Sequence, residues 1–276
     1  MNASVYKSEE KKELFRAAYN GFLNAMPFVR RTVDTPYGET FLLEAGEAGT
    51  PAVLLLHGSC SNSAFWFNDI LALAGSYHVF AADIPGEAGN SSDVRLNLDN
   101  DDYAQWLSAL LDALDLPRVS LAGNSLGGWM ALKFATAFPE RVEKLMLIAS
   151  GGLADVRTEF LDKANQAKQT NEPLTMEESV SGGESLPKEV LDFINLILAS
   201  YHPISVPLPV FSPEALRRLT MPVLYVTGGQ DNLLDAEASL AAVRDNMPQA
   251  EIHLPPDAGH MITTPYVWMV PFLANH

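Results

Sequence analysis

Cysteine and basic residues are scarce in this chain. Cys60 is the one cysteine among 276 residues, so no disulfide can form within the chain and a disulfide-stabilised scaffold is excluded. Lysine and arginine together number 18 against 34 aspartates and glutamates, which gives a net charge of 18 − 34 = −16 at pH 7. Nucleic acid and anionic membranes attract basic surfaces, so neither is expected as a partner of so acidic a protein.

Long apolar runs and targeting signals are also missing. No apolar stretch approaches the length of a membrane-spanning helix, and the charged segment Met1–Arg16 lacks the apolar centre of a secretory signal. The sequence shows no cluster of metal-binding residues and no glycine-rich nucleotide-binding pattern, so no metal and no other cofactor is expected. These absences together predict a soluble, cytoplasmic protein.

The chain does contain a regular alternation of strand and helix patterns. Apolar residues make up 47% of the sequence, enough to bury a large core. Short continuous apolar runs, typical of strands buried on both faces, occur at Ala52–Leu56, Val79–Ala82, Val119–Ala122 and Val142–Ala149. Helical periodicity lies between the runs. The alternation predicts an α/β fold with a doubly wound, mostly parallel sheet, because right-handed crossovers place helices on both faces.

The alternation is interrupted after Gly152. For roughly sixty residues no strand pattern occurs, which is longer than an ordinary connection within a compact domain. Helical patterns at Asp155–Lys168 and Lys188–Ser200 predict a helical cap inserted over residues 152–211. The strand pattern returns at Met221–Thr227.

Three regions follow from this division: an N-terminal helix within residues 1–29, a core domain of residues 30–151 and 212–276, and the inserted cap. Ser8 is suited to begin the N-terminal helix, since its hydroxyl can accept from a backbone N–H of the first turn. The apolar face of that helix is predicted to consist of Leu14, Phe15, Ala18, Phe22, Leu23 and Met26.

Ser125 lies where an apolar strand pattern turns directly into a helix pattern. Gly123, Ser125 and Gly127 fit the G-x-S-x-G pattern, in which a serine on a sharp strand-to-helix turn exposes its hydroxyl above a sheet. A side chain at either glycine is expected to collide with the other limb of so tight a turn. Ser125 is therefore the candidate nucleophile.

A serine hydroxyl needs a base, and the base needs a carboxylate that fixes its tautomer. In this kind of sheet the order along the chain is serine, acid, histidine. Of the six histidines, His260 is the best candidate base because it follows the last strand pattern in a loop. Asp231 is the better candidate acid because it lies in the segment Gly228–Asp231 at the carboxyl end of the strand at Val223–Val226, and the alternatives are Asp155, Asp235 and Asp257.

Backbone N–H groups are suited to stabilise the oxyanion of an acyl-transfer intermediate because they are fixed before the charge appears. Leu126 follows the nucleophile and begins a helix, so its N–H is one candidate donor. The second candidate is the N–H of Ser59, after the first buried strand. His57 is interpreted as an anchor of that loop, and Cys60, with no motif that lowers its pKa, as a loop residue near the site rather than a rival nucleophile.

These motifs resemble those of the α/β-hydrolase fold superfamily, in its capped branch of small esterases. The matching segments are His57-Gly58, Asp83–Ser91, Gly123–Gly128, Gly228–Asp231 and Gly259-His260, in that order, and the resemblance spans Arg31 to the end. It implies the α/β-hydrolase fold and the roles given above to Ser125, Asp231, His260, Ser59 and Leu126. Two segments depart from the family pattern: the one beginning at Asp83 is one residue longer than D-x-x-G-x-G-x-S, and Thr263-Thr264 precede Pro265 where an acidic residue is common.

The predicted function is hydrolysis of a small carboxylic ester, or a related acyl bond, through an acyl-enzyme. Cleavage of a carbon–carbon, lactone, amide or thioester bond uses the same residues, and a non-catalytic ligand-binding or signalling protein is the remaining alternative. The substrate is expected to be a small apolar molecule. Its pocket is predicted from residues of the cap and of the loop after the first buried strand, namely Cys60, Trp66, Phe160, Phe193, Tyr201 and Phe211.

Overall fold

The fold is built on one eight-stranded sheet with the strand order β1-β2-β4-β3-β5-β6-β7-β8. In this computed structural model the structure describes residues 4–155 and 187–276, together with residues 162 and 166. The hairpin β1–β2 is antiparallel and β2 pairs antiparallel with β4, whereas the other neighbours are parallel. The strands are β1 (Val29–Thr35), β2 (Gly38–Ala45), β3 (Ala52–Leu56), β4 (His78–Ala82), β5 (Val119–Asn124), β6 (Val142–Ile148), β7 (Val223–Val226) and β8 (Ala250–His253).

The predicted doubly wound, mostly parallel sheet is confirmed. All five residues of β3 are buried. Leu54 and Leu56 contribute to one apolar core, and Val53 and Leu55 contribute to the other. Since successive side chains of a strand point to opposite faces, these two cores lie on the two sides of the sheet.

Helices precede, connect and follow the strands of the sheet. They are α1 (Glu9–Asn24), α2 (Phe67–Leu73), α3 (Asp102–Ala113), α4 (Leu126–Ala137), α5 (Lys188–Ser200), α6 (Pro213–Leu216), α7 (Ala236–Asn246) and α8 (Tyr266–Asn275). A 3-10 turn over Ser63–Trp66 precedes α2. None of the helices within residues 4–155 and 187–276 is long and apolar enough to cross a membrane.

The N-terminal helix α1 begins as predicted, but its buried face differs from the predicted one. The Ser8 hydroxyl accepts from the N–H of Lys11. The buried side chains are Phe15, Tyr19 and Leu23, at four-residue spacing, whereas Leu14 is 52% exposed and Phe22 is 45% exposed. Tyr19 belongs to the buried face because its hydroxyl donates to Asp83 Oδ1 at 2.9 Å, a contact that apolar periodicity does not register.

Residues Ser4–Lys7, here called the N-terminal strap, connect two distant parts of the chain. The N–H of Val5 donates to the carbonyl of Asp93 at 2.9 Å, in the segment after β4. On the other side, the N–H of Lys7 donates to the carbonyl of Ser200 and the N–H of His202 donates to the carbonyl of Val5. The strap therefore joins the C-terminal end of α5 to the segment that follows β4.

The described part of the predicted insertion contains α5 with the predicted bounds. The ends of the insertion lie together, because the N–H of Phe211 donates to the carbonyl of Gly152 at 2.9 Å. The other predicted helix, Asp155–Lys168, and the pocket candidate Phe160 fall outside the described residues except at positions 155, 162 and 166. The division into an N-terminal helix, core and cap stays a prediction.

Candidate active site

Ser125 occupies the turn between β5 and α4 in a backbone conformation that L-residues seldom adopt, with φ of 51° and ψ of −110°. Two backbone hydrogen bonds stabilise the turn. The Ser125 N–H donates to the carbonyl of Ile148 at 2.9 Å, and the Ser125 carbonyl accepts from Gly151 at 3.1 Å. Strained positions of this kind persist only where the surroundings hold them, and they are common at active sites.

Different neighbouring atoms leave no room for a side chain at Gly123 and at Gly127. A Cβ on Gly123 would lie 2.2 Å from the carbonyl oxygen of Gly127, so Gly123 faces the other limb of the turn as predicted. A Cβ on Gly127 would lie 2.1 Å from the carbonyl oxygen of Leu56. The expectation for Gly127 is therefore corrected: it lets α4 approach the adjacent strand β3, rather than the other limb of its own turn.

His260 connects Ser125 to Asp231. Its Nε2 lies 3.0 Å from Ser125 Oγ, and its Nδ1 lies 2.9 Å from Asp231 Oδ2. The histidine is 6% exposed and the aspartate 3% exposed. The structure thus places these three residues in one hydrogen-bonded chain, the arrangement in which a buried carboxylate orients an imidazole that accepts the proton of a serine.

Asp231 is held in its ionised form by its surroundings. Its Oδ1 accepts from the N–H groups of Leu233 and Leu234 at 2.8 and 2.9 Å. Burial alone raises the pKa of Asp231, but the charge and hydrogen bond of His260 and these two donors outweigh it, so the pKa lies below its usual value. Carboxylates that accept several N–H groups are stabilised as anions.

The other candidate acids do not occupy this position. Asp235 caps α7 by accepting from the N–H of Ala238 at 3.0 Å. Asp155 and Asp257 are exposed. The loops of Asp231 and His260 are also joined directly, since Gln230 donates to the carbonyl of Ala258 at 2.9 Å.

The turn after β3 lies against Ser125. A Cβ on Gly58 would lie 3.4 Å from the Cβ of Ser125, so the backbone of this turn approaches Ser125 at the residue before Ser59. Leu126 is the first residue of α4 and has no acceptor for its N–H within the helix. The two predicted oxyanion donors are therefore on the two backbone segments that adjoin Ser125.

His57 anchors the turn after β3 to the segment after β4, as the sequence indicates. Its Nε2 accepts from the N–H of Ile84 at 2.9 Å, and its Nδ1 lies 2.7 Å from the carbonyl oxygen of Gly58. The residue is 1% exposed. Burial lowers the pKa of His57, which favours the neutral ring that these two contacts require.

Cys60 is poorly suited to act as a nucleophile. Burial raises the pKa of its thiol to about 11. The thiolate is the reactive form of cysteine, so a raised pKa suppresses that reactivity.

The predicted pocket residues separate into two groups. Cys60, Trp66, Phe193 and Tyr201 belong to the core that also contains α1, whereas Phe211 packs against Trp129 on the other side. Phe193 is surrounded by the rings of Phe15, Tyr19, Phe22 and Phe65. Glu87 is a buried acid, 2% exposed, that the sequence patterns do not identify. Its carboxyl group accepts a hydrogen bond from the hydroxyl of Tyr201, beside the Ser59–Cys60 turn.

Within residues 4–155, 162, 166 and 187–276, no group of three or more histidine, cysteine, aspartate or glutamate side chains is arranged to hold a metal ion.

The chain is similar to known hydrolases in both sequence and structure. The model of the alpha/beta hydrolase family matches residues 53–268. The carboxylesterase YbfK of Bacillus subtilis is 24% identical over 269 residues, covering 90% of this chain and 88% of that protein. The crystal structure of carboxylesterase CesB (YbfK) from B. subtilis has a TM-score of 0.85 at 22% identity and covers 97% of this chain and 99% of that one. Naproxen esterase from B. subtilis gives a TM-score of 0.77 at 22% identity, with coverages of 96% and 95%.

Proposed function

Because the chain belongs to the alpha/beta hydrolase family, we propose that it is a serine hydrolase that cleaves a small carboxylic ester through an acyl-enzyme. In this proposal Ser125 is the nucleophile, His260 the general base and Asp231 the acid that orients it. The observation that carries the proposal is the hydrogen-bonded chain from Ser125 Oγ through the His260 ring to Asp231 Oδ2.

The first half of the reaction forms the acyl-enzyme. His260 Nε2 takes the proton of Ser125 as Oγ attacks the ester carbonyl, and Asp231 stabilises the imidazolium that results. The carbonyl oxygen becomes an oxyanion, which the N–H groups of Ser59 and Leu126 stabilise. The tetrahedral intermediate then collapses, and His260 gives its proton to the departing alcohol.

The second half releases the acid. Water replaces the alcohol, His260 takes a proton from it, and the resulting hydroxide attacks the acyl carbon. Ser125 leaves with the proton from His260, which restores the starting state.

The choice of an ester as substrate is supported by the relatives. The chain is similar to carboxylesterase YbfK and to naproxen esterase, which are named as esterases. In the proposed organisation, residues 152–211 form a cap whose apolar and aromatic side chains cover the substrate, and residues 30–151 and 212–276 carry the reactive groups. An apolar cover favours a small apolar acyl or alcohol part, because pockets for small molecules are mostly apolar.

The proposal is tested with Ser125→Ala and p-nitrophenyl acetate. The expected result is a fall in kcat by a factor on the order of 10⁴ or more, with an unchanged thermal unfolding midpoint, because the nucleophile is lost and the fold is retained. Ser239→Ala, which removes a buried hydroxyl on α7, is the matched control and is expected to keep its activity.

A fluorophosphonate probe supplies a second readout that needs no ester substrate. We expect a covalent adduct on Ser125, located by mass spectrometry of tryptic peptides, and none on the Ser125→Ala variant. A folded wild-type protein that forms no adduct and hydrolyses no ester would instead be a ligand-binding protein, and the proposed function would be wrong.

A further inference from the structure

A buried polar cluster lies directly behind the Ser59–Cys60 turn. It contains Glu87, from the segment after β4, and Tyr201, which follows α5. Glu87 is 2% exposed and Tyr201 is fully buried. Buried charged and polar side chains persist where they are hydrogen-bonded, so the partners of this pair indicate what it is for.

The partners of the pair are atoms of the turn. The Tyr201 hydroxyl donates to Glu87 Oε2 at 2.8 Å. The N–H of Cys60 is directed at both, 3.0 Å from the Tyr201 hydroxyl and 3.3 Å from Glu87 Oε2. Ser59 Oγ lies 3.3 Å from each of the same two oxygen atoms. Backbone and side chain of the turn are thus both held by the pair.

Cys60 needs such support because its backbone is in the left-handed region, with φ of 58°. A residue with a Cβ is disfavoured there by roughly 1–2 kcal/mol. Glycine occupies such positions without that penalty, yet this chain has cysteine. The conformation is therefore maintained by contacts, and the contacts to the Cys60 N–H are those of Glu87 and Tyr201.

Arg95 fixes the other end of Glu87. Its Nη2 lies 3.4 Å from Glu87 Oε1 and donates to the carbonyls of Gly86 and His202 at 3.0 and 2.9 Å. Burial raises the pKa of Glu87, while the charge of Arg95 and the donors on Oε2 act in the opposite direction. Both oxygens of this carboxyl group are thereby held in place.

We infer that Glu87 and Tyr201 are positioning residues that hold the Ser59–Cys60 turn so that the Ser59 N–H meets the oxyanion on the substrate. This inference rests on the proposed function. Because Tyr201 directly follows α5, within the predicted insertion, the oxyanion donor is in place only when that end of the insertion is docked on the core.

Loss of this positioning affects the transition state more than the bound ester. The oxyanion forms only after Ser125 attacks, and outright removal of one donor typically lowers kcat by about 10²–10³. A Ser59 N–H that is displaced but still present should lower kcat by less than its complete removal. We expect Tyr201→Phe, which keeps the ring and removes the hydroxyl, to lower kcat roughly 10-fold to 100-fold and to change KM less than about twofold.

The experiment compares three variants of the full chain with wild type. Glu87→Gln keeps an acceptor oxygen and is expected to retain most of kcat, whereas Glu87→Leu has no acceptor and is expected to lose at least as much as Tyr201→Phe. The matched control is Tyr103→Phe, which removes the hydroxyl of another buried tyrosine, bonded to the carbonyl of Pro85 rather than to the turn. It is expected to keep wild-type kcat.

Affinity for an alkyl boronic acid separates positioning from general loosening of the fold. The boronate forms a tetrahedral adduct with a reactive serine and imitates the oxyanion intermediate. Its inhibition constant should therefore rise by the same factor by which kcat falls. Binding of the uncharged product alcohol should not change. A merely structural role would lower the unfolding temperature and leave both kcat and boronate affinity at wild-type values.

The inference is overturned if wild type hydrolyses esters through Ser125 while Tyr201→Phe retains kcat and boronate affinity. If Tyr201→Phe does not fold, the contrast between Glu87→Gln and Glu87→Leu decides the question in the same way. A wild type that neither hydrolyses esters nor binds the boronate overturns the proposed function itself, and with it this inference.

Discussion

Ser125 and Cys60 both have a positive φ, which residues with a side chain seldom adopt, of 51° and 58°. They lie on the two backbone segments that meet at the proposed oxyanion site. Each is held by backbone hydrogen bonds to distant residues. Ser125 donates to Ile148 and accepts from Gly151, and Cys60 donates to Glu87 and Tyr201. At the residue scale, the site is therefore two strained turns held against each other.

Glycine substitutions show how little space the Ser125 turn allows. Gly127→Ala places a Cβ 2.1 Å from a backbone oxygen of β3, so the helix or the strand must move. We expect it to lower the free energy of unfolding by more than about 3 kcal/mol in a urea titration, or to prevent folding.

The matched control for this substitution lies on α1. A Cβ on Gly21 meets nothing within 4 Å, and Gly21 is inside a helix, where alanine is preferred by about 0.5–1 kcal/mol. Gly21→Ala is therefore expected to stabilise the protein by that amount. Equal effects of the two substitutions would contradict the steric account of Gly127.

At the scale of elements, the sequence predicts the strands better than it predicts the buried polar side chains that link one element to another. The apolar runs at β3 and β5 locate those strands because burial on both faces requires continuous apolar sequence. The candidate residues Ser125, Asp231 and His260 are found because strand ends and chain order define them.

Glu87 and Tyr19 are missed for a shared reason. Each is buried through hydrogen bonds to residues distant in sequence, which neither periodicity nor composition records. The available signal is indirect. Glu87 lies in the segment from Asp83 to Ser91, which is one residue longer than the family pattern. The extra residue indicates that this segment is unusual, but it does not predict the hydrogen bond between Glu87 and Tyr201.

Asp69 links α2 to α8, the helix that follows the His260 loop. Its Oδ1 accepts from the N–H of Tyr266 at 2.9 Å, and it is 2% exposed. Burial raises the pKa of Asp69 to about 7. The native state therefore keeps a proton on this carboxyl group that the unfolded chain releases near pH 4.

This difference makes stability depend on pH with a definite sign. Between about pH 4 and pH 7 the native state binds more protons at Asp69 than the unfolded state does, so the contribution of Asp69 to stability falls as pH rises and levels off above pH 7. Asp69→Asn keeps an acceptor for Tyr266 and cannot ionise.

The free energy of unfolding of Asp69→Asn, relative to wild type, is accordingly expected to increase by up to about 4 kcal/mol from pH 4 to pH 8. Urea titrations at several pH values measure it. Asp245→Asn, at an exposed position on α7, serves as the control and should show no such trend. A flat difference for Asp69→Asn would mean that Asp69 is ionised in the native state.

At the scale of the whole molecule, the charge of −16 acts on every charged ligand that approaches. Its field extends about 30 Å at 0.01 M salt and about 8 Å at 0.15 M salt. Anionic esters are therefore repelled more strongly at low salt, whereas neutral esters are unaffected.

The expected result is that kcat/KM for the anionic mono-p-nitrophenyl ester of succinic acid rises roughly threefold or more between these salt concentrations. The neutral p-nitrophenyl acetate is the control and should change little. A parallel change for both esters would show that salt acts on the fold rather than on the encounter.

The N-terminal strap gives the molecule an uneven response to mechanical load. Pulling at the amino terminus reaches Ser200 and His202, and through them the neighbouring Tyr201, before it reaches the sheet. Pulling at the carboxyl terminus reaches α8 and then the loop of His260. A molecule tethered to a bead or an electrode by one end therefore feels tension on the oxyanion side of the site, and one tethered by the other end feels it on the histidine side.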